Sequence, residues 1–317
     1  MSDNLWISWE THTRSRSIAD ALNIELIELL SNKSRVMKYI VLAYKTMITL
    51  LKYKPKVLIV QNPSIVLGYM SILLKPFFRY KLIMDCHNAA LYPLEGKYPL
   101  LVKLAQFLIK KANFVIVTNN ELAKKVVALG GRPIVLNDPI PSFKFDTQTQ
   151  FKNSKPKVTL IATWAEDEPI MEFLNAAYTL ENVDFYVTGK LKDASIEEKY
   201  HPINFPGFVS REDYIKLIAT SDLIVDLTTR ENCLVCGAYE AVGVGVPLLL
   251  SNTASLEATF DSGAEFCENT IDSIKEGIIS ALSNIDQLKI SITDMKKTHM
   301  QRWGKNSLKL KDELVNG

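Results

Sequence analysis

The 317-residue chain is short of the residues that mark several function classes. It has four cysteines, Cys86, Cys233, Cys236 and Cys267, which do not form the disulfide framework of a small secreted domain. Cys233 and Cys236 have CxxC spacing, but no second CxxC and no pair of histidines accompanies them, so the pattern reads as small residues packed at a helix start rather than a zinc or redox site. No Asp-x-Asp run is present, and no metal cofactor is expected. No G-x-G-x-x-G follows a predicted strand, which argues against a nicotinamide oxidoreductase. No apolar run reaches the roughly 20 residues of a membrane span. Met1–Glu10 is polar and unlike a secretory signal, so a cytoplasmic protein is expected. No nucleic-acid partner is expected.

What is present is a substantial core. Hydrophobic residues make up 47% of the chain, enough for two domains of ordinary size. The net charge of +2 is unevenly spread: residues 1–142 hold 19 Lys and Arg against 9 Asp and Glu, while residues 143–317 hold 18 against 26. A basic amino-terminal half suits an anionic surface or acceptor, though opposite charges can also serve two docking domains.

Strand and helix patterns alternate. Leu5–Trp9, Leu26–Leu29, Lys56–Val60, Lys81–Asp85, Phe114–Val117 and Ile134–Leu136 read as strands. Helices are predicted through Leu22 and over Ser34–Tyr53, Ser64–Phe78, Lys97–Lys111 and Asn120–Leu129. Residues 137–156 are polar and aperiodic, as a linker would be. The rhythm restarts with strands at Val158–Ala162, Val183–Val187 and Asn204–Phe208, and helices at Glu168–Leu180 and Arg211–Thr220. Ile271–Ile285 and the end of the chain are predicted helical. The alternation implies doubly wound α/β domains with parallel sheets. Ser34–Tyr53 spaces Lys38, Lys45 and Lys52 along an amphipathic helix, a pattern that fits a membrane surface and also a sheet-packing helix with lysines at its rim.

The most informative stretch is Ser221–Glu257. An apolar strand at Leu223–Val225 leads into the polar loop Thr228–Asn232. A helix then starts at Cys236, and a second apolar strand, Pro247–Leu250, closes a βαβ crossover. Ligands of open α/β sheets bind beyond the carboxyl ends of the strands, and free N–H groups at the following helix start favour an anion. Glu240, early in that helix, is placed to accept hydrogen bonds from a ribose diol; a surface glutamate is the plain alternative.

Glu240-Ala241-Val242-Gly243-Val244-Gly245-Val246-Pro247, with Ser251 and Glu257 behind it, resembles the motif of nucleotide-sugar glycosyltransferases of the GT-B fold, especially the large retaining group 1 (family 4-like). The resemblance implies two Rossmann-like doubly wound domains facing a cleft: an acceptor-binding domain at 1–142, a nucleotide-sugar-binding domain at 143–302, and a helix at 303–317 crossing back. The family motif has a glutamate eight residues before Glu240, where this chain has Asn232; the nearest acid is Glu231. The family also often carries Arg and Lys after the first strand of the second domain, and Thr163–Glu168 has neither.

On this resemblance the candidate catalytic residues are His87, Asp85 and Glu231. His87 is the better acid–base group by its ordinary pKa. The donor would be held by Glu240, Arg230, Asn232, Thr229, Lys190, Cys233, Leu234 and Val235, with Lys190 and Arg230 meeting the diphosphate. His12, Arg14 and Asn88 are placed on the acceptor side; Arg14 and Arg16 read equally well as solvated helix residues. The implied reaction moves a sugar from a UDP- or GDP-sugar to a lipid-linked glycan in surface polysaccharide assembly, without a metal, at the inner face of the cell membrane. Two other readings stay open: a non-catalytic subunit of a transferase complex, and a sugar-nucleotide epimerase of the same fold.

Overall fold

A computed structural model describes residues 3–62, 64–86, 88–91, 93–143, 155–191 and 193–315. The chain divides into two compact units, residues 1–139 with 302–317, and residues 140–301.

The first unit runs β1 (Asn4–Ser8), α1 (Thr13–Leu22), β2 (Glu25–Glu28), α2 (Arg35–Tyr53), β3 (Val57–Asn62), α3 (Ile65–Phe78), β4 (Lys81–Cys86), α4 (Asn88–Leu91), α5 (Pro99–Lys111), β5 (Phe114–Val117), α6 (Asn120–Ala128) and β6 (Pro133–Val135). Its strands form one sheet in the order β2-β1-β3-β4-β5-β6, and the pairings are parallel, as in Val60 opposite Met84. Both faces are covered, which is why the strands read as continuous apolar runs. Side chains alternate between two cores, as the two-residue strand period requires. Leu58, Val60, Leu82 and Met84 point into a core built with α2, α3, α5 and α6. Ile59, Ile83 and Ile116 point to the other side, against Ile18 of α1 and Leu310 and Leu314 near the end of the chain.

The second unit runs β7 (Lys157–Leu160), α7 (Ile170–Tyr178), β8 (Asp184–Thr188), α8 (Ala194–Lys199), β9 (Asn204–Gly207), α9 (Arg211–Ala219), β10 (Leu223–Asp226), α10 (Cys236–Val244), β11 (Leu248–Ser251), α11 (Ala254–Thr259), β12 (Ala264–Cys267), α12 (Ile271–Ser283) and the start of α13 (Ile285–Val315). Strand order is β12-β11-β10-β7-β8-β9, a parallel sheet whose connections reverse direction between β7 and β10. Residues 302–315 of α13 belong to the first unit. There Trp303 donates to the Asn137 carbonyl at 3.0 Å, and Lys81 pairs with Glu313 at 3.0 Å.

The two doubly wound, Rossmann-like units are those expected from the sequence. Differences are local. The helix expected from Glu168 starts at Ile170, after Pro169 in the N-cap position, because the Glu168 carboxylate turns back onto the preceding loop. Strand β12 and helices α8 and α11 were not anticipated; they are four to six residues long, too short to show a period. The linker region 144–154 lies outside the described residues.

One glycine is fixed by the close approach of two strand ends. Gly189, after β8, has φ +84, and a Cβ there would sit 2.3 Å from the Ala162 carbonyl oxygen. Gly189→Ala combines left-handed strain with a backbone clash. It is expected to destabilise the second unit by at least about 2 kcal/mol, read as an earlier thermal unfolding midpoint.

Candidate active site

In the second unit the loops after β7 and β10 diverge at the point where strand order reverses, the position at which open α/β sheets hold ligands. The two loops are tied together by Asp167. Its backbone carbonyl accepts the Thr229 N–H at 2.8 Å, and its carboxylate accepts the Thr228 hydroxyl at 3.1 Å. Arg230 lies 3.4 Å from the same carboxylate, with about half its side chain in solvent. Behind the loop, Thr228 N–H donates to Ser251 Oγ at 2.9 Å, and the Asn269 side-chain amide donates to the Thr228 carbonyl at 3.0 Å.

The β7 loop carries its own anion. Glu168 accepts the N–H groups of Thr163 at 2.9 Å and Ala165 at 3.1 Å, and the Thr163 hydroxyl at 2.7 Å. Trp164, between them, has φ +62 and donates its indole N–H to the Thr188 carbonyl at 3.1 Å. This is the segment that lacks basic residues, and its amides are turned onto a protein carboxylate.

The start of α10 corrects an expectation. The helix-end amides were read as free for a ligand anion. Asp226, the last residue of β10, is buried and accepts the backbone N–H groups of Gly237 and Ala238. A helix start attracts a carboxylate, and a strand-end aspartate answers here before any ligand does. Gly237 has no Cβ for this reason: one would sit 2.5 Å from Asp226 Oδ2. Burial pushes the Asp226 carboxyl well up, and the charges of Glu168 and Glu240 push the same way against the two amide bonds.

Glu240, in the second turn of α10, is half-buried. The Tyr214 hydroxyl of α9 donates to Glu240 Oε2 at 2.5 Å. Burial raises the Glu240 carboxyl, and the Tyr214 hydrogen bond and the Arg211 charge act against that rise. One carboxylate oxygen is thus engaged by the protein, in a position set by a neighbouring helix.

The remaining donor candidates are distributed unevenly. Thr229, Arg230 and Glu231 are exposed on the β10 loop, with Asn232 and Cys233 half-buried beside them. Cys233 N–H closes a turn onto the Arg230 carbonyl at 3.2 Å. The Leu234 and Val235 side chains pack into the core under α10, so only their backbones are available to a ligand. Lys190 is exposed just after β8.

In the first unit Arg14 and Asp85 are not on a solvated face. Arg14 is buried in α1, 3.4 Å from Asp85 Oδ1, paired with Asp138, and donating to the Leu136 carbonyl at 2.6 Å. The second reading, of Arg14 as a surface residue like Arg16, is therefore corrected: a buried charge needs such partners, and Asp85 supplies one from the end of β4. Arg16 is exposed and pairs with Glu28 at 2.5 Å. His12 precedes α1, and its backbone N–H donates to Glu28 at 3.3 Å. Asn88 opens α4. His87 lies outside the described residues.

The sequence reading missed a second polar set in this unit. At the carboxyl ends of β1 and β3, where strand order reverses, the Ser8 hydroxyl meets the Gln61 amide oxygen, and Gln61 donates to Glu10 at 3.0 Å. It also missed Asp167, Tyr214 and Asp226. Of these, only Asp226 had a sequence signal, an acid ending an apolar strand just before a polar loop. Among the described residues no group of three or more His, Cys, Asp and Glu side chains is arranged to hold a metal ion.

Residues 169–296, which include the β10 loop, α10 and Glu240, match the model of a glycosyl transferase-like family. No curated protein matches the sequence. Among solved structures, HepE of Anabaena in complex with UDP and glucose has a TM-score of 0.75 at 13% identity, over 99% of this chain and 92% of that one. Sucrose-phosphate synthase of Thermosynechococcus elongatus gives 0.72 at 13% identity, over 92% of this chain and 82% of that one. The amino-terminal domain of Candida albicans trehalose-6-phosphate phosphatase gives 0.69 at 11% identity, over 98% and 89%. These likenesses show the fold, that of the GT-B glycosyltransferases, as the sequence resemblance implied.

The Tyr214–Glu240 bond makes a pH-dependent contribution. Tyr214→Phe removes a donor to a largely buried carboxylate and is expected to cost about 1.5–3 kcal/mol where Glu240 is ionised. The bond favours the charged form, so the loss grows as pH rises through the Glu240 titration and shrinks below it. Urea unfolding of parent and variant on the acid and neutral sides of that titration measures the difference; an equal loss at both sides would refute it.

Proposed function

For this glycosyltransferase-like chain of the GT-B fold, we propose a nucleotide-sugar-dependent hexosyltransferase that works without a divalent metal. The observation that carries the reading is Glu240: a carboxylate held by Tyr214 in the first helix beyond the β10 loop, inside the span that matches the glycosyl transferase-like model. One of its oxygens is bonded to the protein, leaving the other to accept from a ribose hydroxyl. That HepE, of the same fold, is known in complex with UDP supports a uridine or similar nucleotide as the donor's handle.

In this reading the exposed loop residues Thr229, Arg230, Glu231 and Asn232, with the backbone of Cys233, Leu234 and Val235, surround the donor sugar and diphosphate. Arg230 and Lys190 are the cations that meet the leaving group. Transfer requires groups that stabilise charge on the departing diphosphate more than on the bound donor. The Arg230–Asp167 contact is long and half-exposed, and a pair of that kind adds little stability. Asn232 makes a neutral contact where the family motif has a glutamate. The acceptor in this proposal is a lipid-linked saccharide of surface polysaccharide assembly, and the enzyme works at the cytoplasmic face of the membrane. The excess of Lys and Arg in residues 1–142 supports an anionic surface nearby.

A second reading has its own observation. Asp226 and Glu168 already occupy amides at the ends of β10 and β7, and the β7 loop has no cation. A chain that binds a nucleotide but turns nothing over, as a subunit of a transferase complex, fits those facts. The fold alone does not decide, since it also forms a domain of a trehalose-6-phosphate phosphatase in Candida albicans.

Calorimetry with UDP and GDP tests the site. Glu240→Gln is expected to weaken the nucleotide that binds by about 1–3 kcal/mol; unchanged affinity would remove Glu240 from it. Turnover with a panel of nucleotide sugars separates the readings, since tight binding without hydrolysis or transfer favours the subunit. Activity is expected to survive excess chelator, and its complete loss there would refute the metal-free mechanism.

A further inference from the structure

Helices α2, α3 and α5 lie on one face of the first sheet. Leu42 and Leu50 of α2, Leu67 of α3 and Leu108 of α5 share one core over β3 and β4. α3 touches α5 directly, with Tyr69 stacked on Phe107 at 5.9 Å. A sheet-packing helix ordinarily turns its apolar side to the sheet and its polar side to water.

α2 does not follow that rule. Leu42, Thr46 and Leu50 recur at four-residue intervals and are buried against the sheet. Ile40, Tyr44, Ile48 and Leu51 recur on the opposite side of the helix and are exposed; Tyr44 keeps 68% of its surface in solvent. Lys38, Lys45 and Lys52, seven residues apart, line one flank. α3 repeats the arrangement. Its outer side carries Leu73 at 69% and Phe77 at 81% exposure. On α5, Leu100 is 69% exposed, and Lys111 lies 5.5 Å from the ring of Phe107.

Charge on this face has one sign. α2 and α3 contain no Asp or Glu, and they hold Arg35, Lys38, Lys45, Lys52 and Lys75. α5 has no acid either, and it holds Lys103, Lys110 and Lys111. An apolar centre bordered by basic residues matches a bilayer interface, where side chains reach the acyl region and lysine stems extend to anionic headgroups. Exposed apolar surface of this extent is unusual on a chain that stays in water.

We infer that the outer face of α2, α3 and α5 docks on an anionic lipid bilayer by inserting apolar side chains, with Phe77, Leu73 and Tyr44 as leading residues. The inference deepens the membrane-surface part of the proposed function and assigns it a surface. It differs from attachment by the lysines of α2 alone in its salt response. Each Lys near an anionic surface adds about 1 kcal/mol that fades as salt shortens the Debye length, whereas inserted side chains hold through high salt.

The test is vesicle flotation with phosphatidylcholine alone and with added phosphatidylglycerol, at low and high salt. The parent protein is expected to float with the anionic vesicles and to be retained in part at high salt. Leu73→Ser with Phe77→Ser should weaken that binding about tenfold at both salts, equivalent to about 1.4 kcal/mol. Lys38→Glu with Lys45→Glu and Lys52→Glu should lower it mainly at low salt. Phe77→Trp adds an independent reading, a blue-shifted emission when anionic vesicles are added. All the substituted side chains are at least partly solvent-facing, and circular dichroism verifies that each variant is folded. The inference is overturned if the parent does not bind anionic vesicles, if the serine variant binds as the parent does, or if the tryptophan emission does not move. A dimer in light scattering that the serine variant dissociates, without vesicle binding, would assign the face to a second copy of the chain. UDP calorimetry on the same variants keeps the two proposals apart, since neither Leu73 nor Phe77 belongs to the donor site.

Discussion

The arrangement of the candidate site hangs on a carboxylate at the end of β10. Asp226 reaches across to the N–H groups of Gly237 and Ala238 and so fixes where α10 begins and which way it points. Residue 237 must then be glycine, because a side chain would occupy the place of Asp226 Oδ2. The start of α10 in turn brings Glu240 to the Tyr214 hydroxyl. The eight-residue loop between the strand end and the N-cap residue Val235 is held at its other side by Asp167. Burying Asp226 beside two other acids is unfavourable. Two amide bonds and the positive end of the helix offset part of that cost, and they do so only if the helix starts there.

The same economy appears at the β7 loop, where Glu168 gathers the amides of Thr163 and Ala165. Two sets of N–H groups at neighbouring strand ends thus face carboxylates of the protein itself. Under the proposed function, a diphosphate at this site would meet two prepaired acids and find its countercharge in the exposed loop, in Arg230 or in Lys190. Electrostatic stabilisation of a leaving group is strongest where donors are fixed before the reaction. Here the fixed donors are committed to carboxylates of the protein, and the candidate cations, Arg230 on its Asp167 contact and Lys190, are exposed. Under the proposed function, the balance between transfer and simple binding would rest on whether Arg230, now 3.4 Å from Asp167, moves to the phosphate.

Much of the fold was legible in the sequence because parallel sheets covered on both faces leave long apolar runs. Lys81–Asp85 and Leu223–Val225 could hardly be anything else. The short edge strand β12 escaped because Ala264–Cys267 is only partly buried and includes a glutamate. In the site, the motif from Glu240 to Pro247 was legible because it is contiguous. The partners that define its geometry were not. Tyr214 lies 26 residues from Glu240, and Asp167 lies 61 from Thr228, on other elements of the sheet. Local spacing carries no information about such pairs. Arg14 shows the opposite limit. Two arginines two residues apart looked alike, yet α1 turns Arg16 to Glu28 in solvent and Arg14 inward to Asp85 and Leu136.

The surface of the first unit follows from the same sheet. The connections β2–α2–β3, β3–α3–β4 and β4–α5–β5 all run the same way across the sheet, so right-handed crossovers put α2, α3 and α5 on one face, and their inner sides are filled by the core over β3 and β4. Nothing in that packing asks the outer sides to be apolar. An outer residue of a sheet-packing helix contributes little to folding stability, and a polar side chain there changes it by no more than about 0.5 kcal/mol. Ile40, Tyr44, Leu73 and Phe77 therefore answer to something other than the fold. Their basic border points the same way, since a solvated helix gains from acid–base pairs at four-residue spacing and α2 contains no acid with which to make one. Core and outer face are set by separate demands, the first by the sheet and the second by whatever meets these helices from outside.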